Sequence, residues 1–152
     1  MIASRPATEA DAFFIRDSWV ASYRDSDSAG FIQVEDWYPI MLPQVAKAML
    51  RPDVKATMAY ETNDPNPETN VYGFIVADTV ERPAYVYYVF VKANYRRQGV
   101  AGFLFRSIGV DPSKPFEYAC STRLAYLLRQ KVPLAKWRPS YGRFPKAERR
   151  RR

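Results

Sequence analysis

Histidine is absent from this chain of 152 residues, and cysteine occurs once, at Cys120. Without imidazole there is no Ser-His-Asp triad, no Cys-His couple and no zinc site that uses histidine. A single thiol leaves no CxxC knuckle and no disulfide framework. No apolar run reaches the roughly 18 residues needed to span a bilayer. The opening residues, MIASRPATEADAFF, carry acids where a secretory signal has its apolar core. A cytoplasmic protein is expected. Its chemistry must come from carboxylates, hydroxyls, phenols, lysines or the backbone. With no histidine to activate it, Cys120 reads as a buried structural residue.

The length fits one domain with a real core, and the 47% hydrophobic content excludes wholesale disorder. The net charge of +7 is unevenly placed. From Arg123 onward there are eleven Lys or Arg and one acid, Glu148, so that part carries +10 and Met1–Thr122 about −3. A basic end on a mildly acidic body points to an anionic partner, or else to a solvated tail. Residues 1–135 are expected to form the domain and 136–152 a basic aromatic segment. In Lys136-Trp137-Arg138-Pro139-Ser140-Tyr141-Gly142-Arg143-Phe144 cations alternate with rings. That suits nucleic-acid backbone contact with base stacking, and equally a last strand whose rings pack inward.

Hydrophobic spacing gives the elements. Residues Ser4 to Ala7 read as a short extended stretch. Thr8-Glu9-Ala10-Asp11 resembles a capping box, and Ala12, Ile15, Trp19 and Tyr23 follow at helical spacing. A second helical region starts near Asp36, is interrupted at Pro43 and ends before Pro52. Strands are predicted at Lys55–Glu61, Val71–Asp78, Tyr85–Lys92 and Phe116–Ser121. The third is apolar on both faces and therefore central. Helices are predicted at Gly99–Ile108 and Thr122–Lys131, with a late strand at Leu134–Trp137. This order defines a single α/β (α+β) domain with a mixed sheet.

The stretch Val86 to Phe105 organises the chain: an apolar strand, a cationic loop at Arg96-Arg97-Gln98, then Gly99-Val100-Ala101-Gly102 and a helix. The first amides of a helix have no internal partners, so this order makes an anion site. Gly99 and Ala101 allow close backbone approach, and Arg96 and Arg97 add charge. Arg96-Arg97-Gln98-Gly99-Val100-Ala101 resembles the acyl-CoA loop of the GNAT superfamily of N-acetyltransferases: Arg or Gln, two residues, Gly, one residue, Gly or Ala. The resemblance extends over about residues 3 to 131. It includes Arg5-Pro6-Ala7-Thr8 with Asp11, Gly73-Phe74-Ile75-Val76 and Val91-Lys92-Ala93-Asn94-Tyr95.

The resemblance implies the GNAT-like fold and acetyl-CoA or another acyl-CoA as co-substrate. The pyrophosphate would lie on Arg96, Arg97, Gln98, Gly99, Val100, Ala101 and Gly102, and the pantetheine arm along Phe90 and Val91. The activity implied is N-acyl transfer to an amine acceptor that the sequence does not identify. Two departures stand out. The tyrosine that many members carry in the helix after the fifth strand falls on Leu128, and Tyr126 lies about 200° around that helix. The fourth strand holds no glutamate. Tyr126, Glu117 and Ser121 (with Tyr118) are therefore the candidates for general acid or base. Two other readings stay open. One is a GNAT-like module that binds nucleic acid or an assembly through Lys136–Arg152 with little or no catalysis. The other is a nucleic-acid base modifier similar to small phage-encoded GNAT-like proteins.

Overall fold

A computed structural model describes residues 1–24, 32–67, 69–119 and 134–137. It contains strands β1 (Ile2–Pro6), β2 (Val54–Glu61), β3 (Val71–Asp78), β4 (Tyr85–Val91), β5 (Phe116–Tyr118) and β6 (Ala135–Trp137). Its helices are α1 (Ala12–Tyr23), α2 (Val34–Met49) and α3 (Val100–Ile108). The strands form one sheet in chain order. β1 to β4 pair antiparallel, and β4, β5 and β6 pair parallel. The expected mixed sheet is present. The predicted helix at Thr122–Lys131 lies outside the described residues.

Each strand's alternation feeds two cores. Phe74, Val76, Tyr85, Tyr87 and Tyr88 face α1 and α2, where they meet Trp19, Tyr23, Trp37 and Val45. Ile75, Ala77 and Val86 face α3, where they meet Val100, Leu104, Ile108 and Phe116. Burying a large side chain in such a layer contributes on the order of 2 kcal/mol. The strand predicted as central is covered on both faces, as its apolar character requires.

Three elements differ from expectation. The extended stretch near Ser4 is a full edge strand, β1, with Arg5 opposite Met58 on β2. The second helical region is one continuous helix from Val34, with both Pro39 and Pro43 inside it. These prolines sit four apart on the exposed face. The carbonyls they leave without a helical donor therefore face water, while Trp37, Met41, Val45 and Ala48 hold the opposite face in the core. Trp37 Nε1 also donates to the Val20 carbonyl at 2.9 Å, fixing α2 to α1. Strand β5 is shorter than predicted and stops at Tyr118.

The predicted capping box forms, one turn ahead of α1. Asp11 accepts from the Thr8 amide at 2.8 Å and from both Nη atoms of Arg5, at 2.6 and 3.0 Å. The fork joins β1 to the start of α1. Burial disfavours the Asp11 charge, but the Arg5 guanidinium and the Thr8 donors outweigh it and hold the carboxyl below its ordinary range.

Because that pKa is depressed, the pair stabilises fully above the unfolded value of about 4, and the contribution is lost as pH falls through the folded value. Arg5→Ala should cost about 2 kcal/mol at pH 7. The deficit should shrink at pH 3, as read from urea midpoints at the two pH values. Gly73 gives a second test. A Cβ there would stand 2.1 Å from the Phe90 carbonyl oxygen across the β3–β4 ladder. Gly73→Ala should therefore lose at least about 2 kcal/mol by forcing the strands apart. Wild-type stability in that variant would show that β4 yields.

Candidate active site

The site begins with a fault in β4. Tyr88 lies opposite Val76 and Val86 opposite Ala77, so Tyr87 is an extra residue, a bulge. The bulge reverses which residues point their backbone toward β3. Before it, the Val86 carbonyl accepts from the Ala119 amide on the β5 side at 2.9 Å. After it, the Lys92 amide donates to the Tyr72 carbonyl on the β3 side at 2.9 Å. By alternation, Tyr88 and Phe90 also face β3, and Val89 and Val91 face the other way. β5 pairs only with Tyr85 and Val86. Among the described residues, the edge of β4 from Tyr87 to Val91, about 13 Å long, has no strand against it. The Val91 carbonyl on this edge accepts from Arg96 Nε at 3.0 Å.

The loop follows at the end of that edge. A 3-10 turn at Ala93–Tyr95 leads to Arg97 and Gly99, which have φ of 65° and 80°. Two left-handed residues in three turn the chain sharply into α3. Gly99 is the N-cap, and the first amide to find a helical acceptor is that of Phe103, 3.0 Å from the Gly99 carbonyl. The amides of Val100, Ala101 and Gly102 thus stand at the positive end of the helix. An added Cβ on Gly99 would meet nothing within 4 Å, so the space in front is open. Arg96, Arg97 and Gln98 are exposed beside it. Tyr95 packs on Tyr72 with ring centroids 4.2 Å apart, which anchors the loop to β3.

The sequence candidates fall in three places. Arg96 to Gly102 form the loop and helix start just described. Val91 sits on the open edge, whereas Phe90 turns its backbone to β3 and its ring toward Phe14 and Phe74. Glu117 is distant from the loop. Its amide donates to the Ala84 carbonyl at 2.9 Å, and it lies opposite Tyr85, six residues and roughly 20 Å before Val91. It is half-buried, and alternation with Phe116 places it on the α1/α2 face. Tyr118 is directed to the α3 face, away from Glu117. Tyr126, Ser121 and Cys120 lie outside the described residues, as does the segment after Trp137.

Sequence reasoning missed two features. Rings occupy 85, 87, 88 and 90, with valines at 86, 89 and 91. That alternation slips by one between Tyr87 and Tyr88, and the slip is the bulge. The second feature is Arg106, whose Nη1 would stand 3.3 Å from a Cβ on Gly102. The guanidinium folds back over the first turn of α3 and adds a third cation there. The signal was Gly102 and Arg106 at i, i+4 on one helix.

No family profile matches the sequence, and no curated protein does either. Solved structures do match. One is the aminoglycoside antibiotic 6'-N-acetyltransferase AAC(6')-Ih of Acinetobacter baumannii, at 14% identity and TM-score 0.51, covering 87% of this chain and 89% of that one. Another is a candidate GNAT family acetyltransferase of Staphylococcus aureus, at 9% and 0.51, covering 69% and 86%. A third is a candidate acetyltransferase of Clostridium difficile, at 16% and 0.50, covering 71% and 68%. The fold is that of the GNAT acetyltransferases.

The left-handed turn makes its own prediction. Gly99→Ala should cost about 1 kcal/mol from φ alone, since no neighbour obstructs the methyl group. Gly99→Asn should cost less, because Asn tolerates that region. Equal urea stability for all three would show that the turn rearranges freely.

Proposed function

We infer that the chain is an N-acyltransferase that takes its acyl group, an acetyl group, from acetyl-CoA and gives it to an amine. One observation carries this reading. The bulged edge of β4 runs into a left-handed turn that aims three helix amides, with Arg96, Arg97 and Arg106 beside them, into open space. A pyrophosphate fits amides at a helix start flanked by guanidinium groups. An amide-bearing arm fits a strand edge that offers the Val89 N–H and C=O and the Val91 N–H.

In this reading the amine nitrogen attacks the thioester carbonyl carbon. A C–N bond forms, the C–S bond breaks, the amine loses one proton and the departing thiolate gains one. The chain holds the thioester in line and presents donors to the carbonyl oxygen. Glu117 lies toward the far end of the open edge from the loop, the end where a reactive carbon belongs when the phosphates occupy the loop. It is the candidate to take the amine proton, and Tyr126 or Ser121 to return one to sulfur.

Titration calorimetry with acetyl-CoA tests the binding step. Micromolar affinity is expected. It should fall at least thirtyfold in Gly99→Glu, which sets a carboxylate against the phosphates, and about threefold in Arg106→Ala. No heat with wild type up to millimolar acetyl-CoA would overturn the reading. Thiol release with polyamines, peptides and aminoglycosides as acceptors tests the transfer step.

A second reading rests on charge. Residues 136–152 hold eight Lys or Arg and one acid, which equals the whole net charge of +7. Nucleic acid is the partner this segment suits, as a handle or as the acceptor itself. Binding to a single-stranded oligonucleotide should then weaken steeply with salt and disappear when Arg149–Arg152 are removed. Salt-independent binding would oppose it.

A further inference from the structure

We propose that Tyr23 is a positioning residue of this site: its hydroxyl holds the bulge in β4 and so decides which backbone groups line the open edge. The inference rests on the acyl-CoA reading for its function but not for its geometry. Tyr87 is the extra residue of the bulge, and its peptide carbonyl cannot follow the β3 ladder. The Tyr23 hydroxyl, from the last turn of α1, donates to that carbonyl at 2.6 Å. Both residues are almost fully buried, so no water competes for the carbonyl.

The side chain of Tyr87 is held at its other end. Its hydroxyl accepts from Arg51 Nη1, just beyond the end of α2, at 2.7 Å. Trp19 fills the space between, with ring centroids 5.8 Å from Tyr23 and 5.7 Å from Tyr87. The next residue is tied too: the Tyr88 hydroxyl contacts Ser22 and the Ser18 carbonyl on α1. Five residues on or just beyond α1 and α2, Ser18, Trp19, Ser22, Tyr23 and Arg51, thus grip the two consecutive tyrosines at which the strand changes phase.

The consequence lies downstream. With the bulge in place, Val89 and Val91 present their backbone to the open edge. Without it, an unbroken ladder from Val86 would turn Tyr88 and Phe90 outward instead and send Val89 and Val91 into the β3 pairing. Tyr23 sits in the α1/α2 core, and from there it fixes the donors that an acyl carrier arm would meet.

Tyr23→Phe removes only the hydroxyl and keeps the ring that packs on Trp19. Two measurements on it decide the matter. In amide hydrogen exchange, the wild-type Phe90 and Lys92 amides should be slow and those of Val89 and Val91 fast. In the variant, Phe90 exchange should rise at least tenfold while Met58, in β2, stays unchanged. An unaltered exchange pattern would overturn the clamp whether or not any ligand binds.

In calorimetry, the variant should bind CoA about tenfold more weakly and bind the CoA nucleotide lacking its pantetheine arm within twofold of wild type. Equal weakening of both ligands would mean a general softening of the site and would overturn the positioning role. Wild type that binds neither ligand would instead overturn the acyl-CoA reading, and the exchange data would still decide the clamp. Arg51→Met, which releases the other end of Tyr87, should reproduce the exchange change in weaker form.

Discussion

A buried carbonyl that has left its ladder must find a donor, and the Tyr87 carbonyl finds Tyr23. Much of the site follows from that single hydrogen bond. It stabilises the extra residue in β4, and the extra residue sets the phase of every backbone group from Tyr88 to Lys92. The same phase lets Tyr87 and Tyr88 both point into the α1/α2 core, against the usual alternation. Packing and site geometry therefore share one cause. Where rings demand two consecutive inward positions, the strand must bulge.

The loop after β4 works on a different principle. An anion-binding role for it would need no buried partner, only amides with no acceptor and cations with no competing acid. Among the described residues, Arg96 and Arg97 form no ion pair, and α3 has no acid in its first turn. Gly99 turns the chain by taking a left-handed φ in open space, so the cost of the turn is small and the approach is clear. The electrostatics are local and survive small shifts of the sheet. The β4 edge does not, because its register belongs to the whole α1/α2 layer.

The two cores divide the labour along these lines. The centre of the α3 face is mostly aliphatic, with Val86, Ile75, Leu104 and Ile108 packed together beside Phe116. The α1/α2 face is aromatic, and its phenols and indoles bring polar tips that reach backbone carbonyls: Tyr23 to Tyr87, Tyr88 to Ser18, Trp37 to Val20. An aromatic core of this kind can steer a strand as well as bury it.

By itself the sequence determined the local chemistry. Hydrophobic period and turn residues marked the described helices, the β2–β3 hairpin, the strand covered on both faces, the capping box at Thr8 and Asp11, and the cationic glycine loop. These depend on neighbours a few residues apart, which a linear reading sees. It misjudged α2, because whether Pro39 and Pro43 break a helix depends on whether the freed carbonyls meet water, and their exposure is a tertiary fact. It missed β1 as a strand, because an edge strand draws its definition from the partner that pairs with it.

Only the tertiary structure decided how far Glu117 stands from the loop, since the two are joined by strand register and not by spacing in the chain. It alone brought Tyr23, Arg51 and Tyr87 together across 36 and 64 residues of separation. The phase slip was written in the order of rings and valines from Tyr85 to Val91. Its meaning was not, because a bulge persists only where something buried is ready to receive the carbonyl it expels.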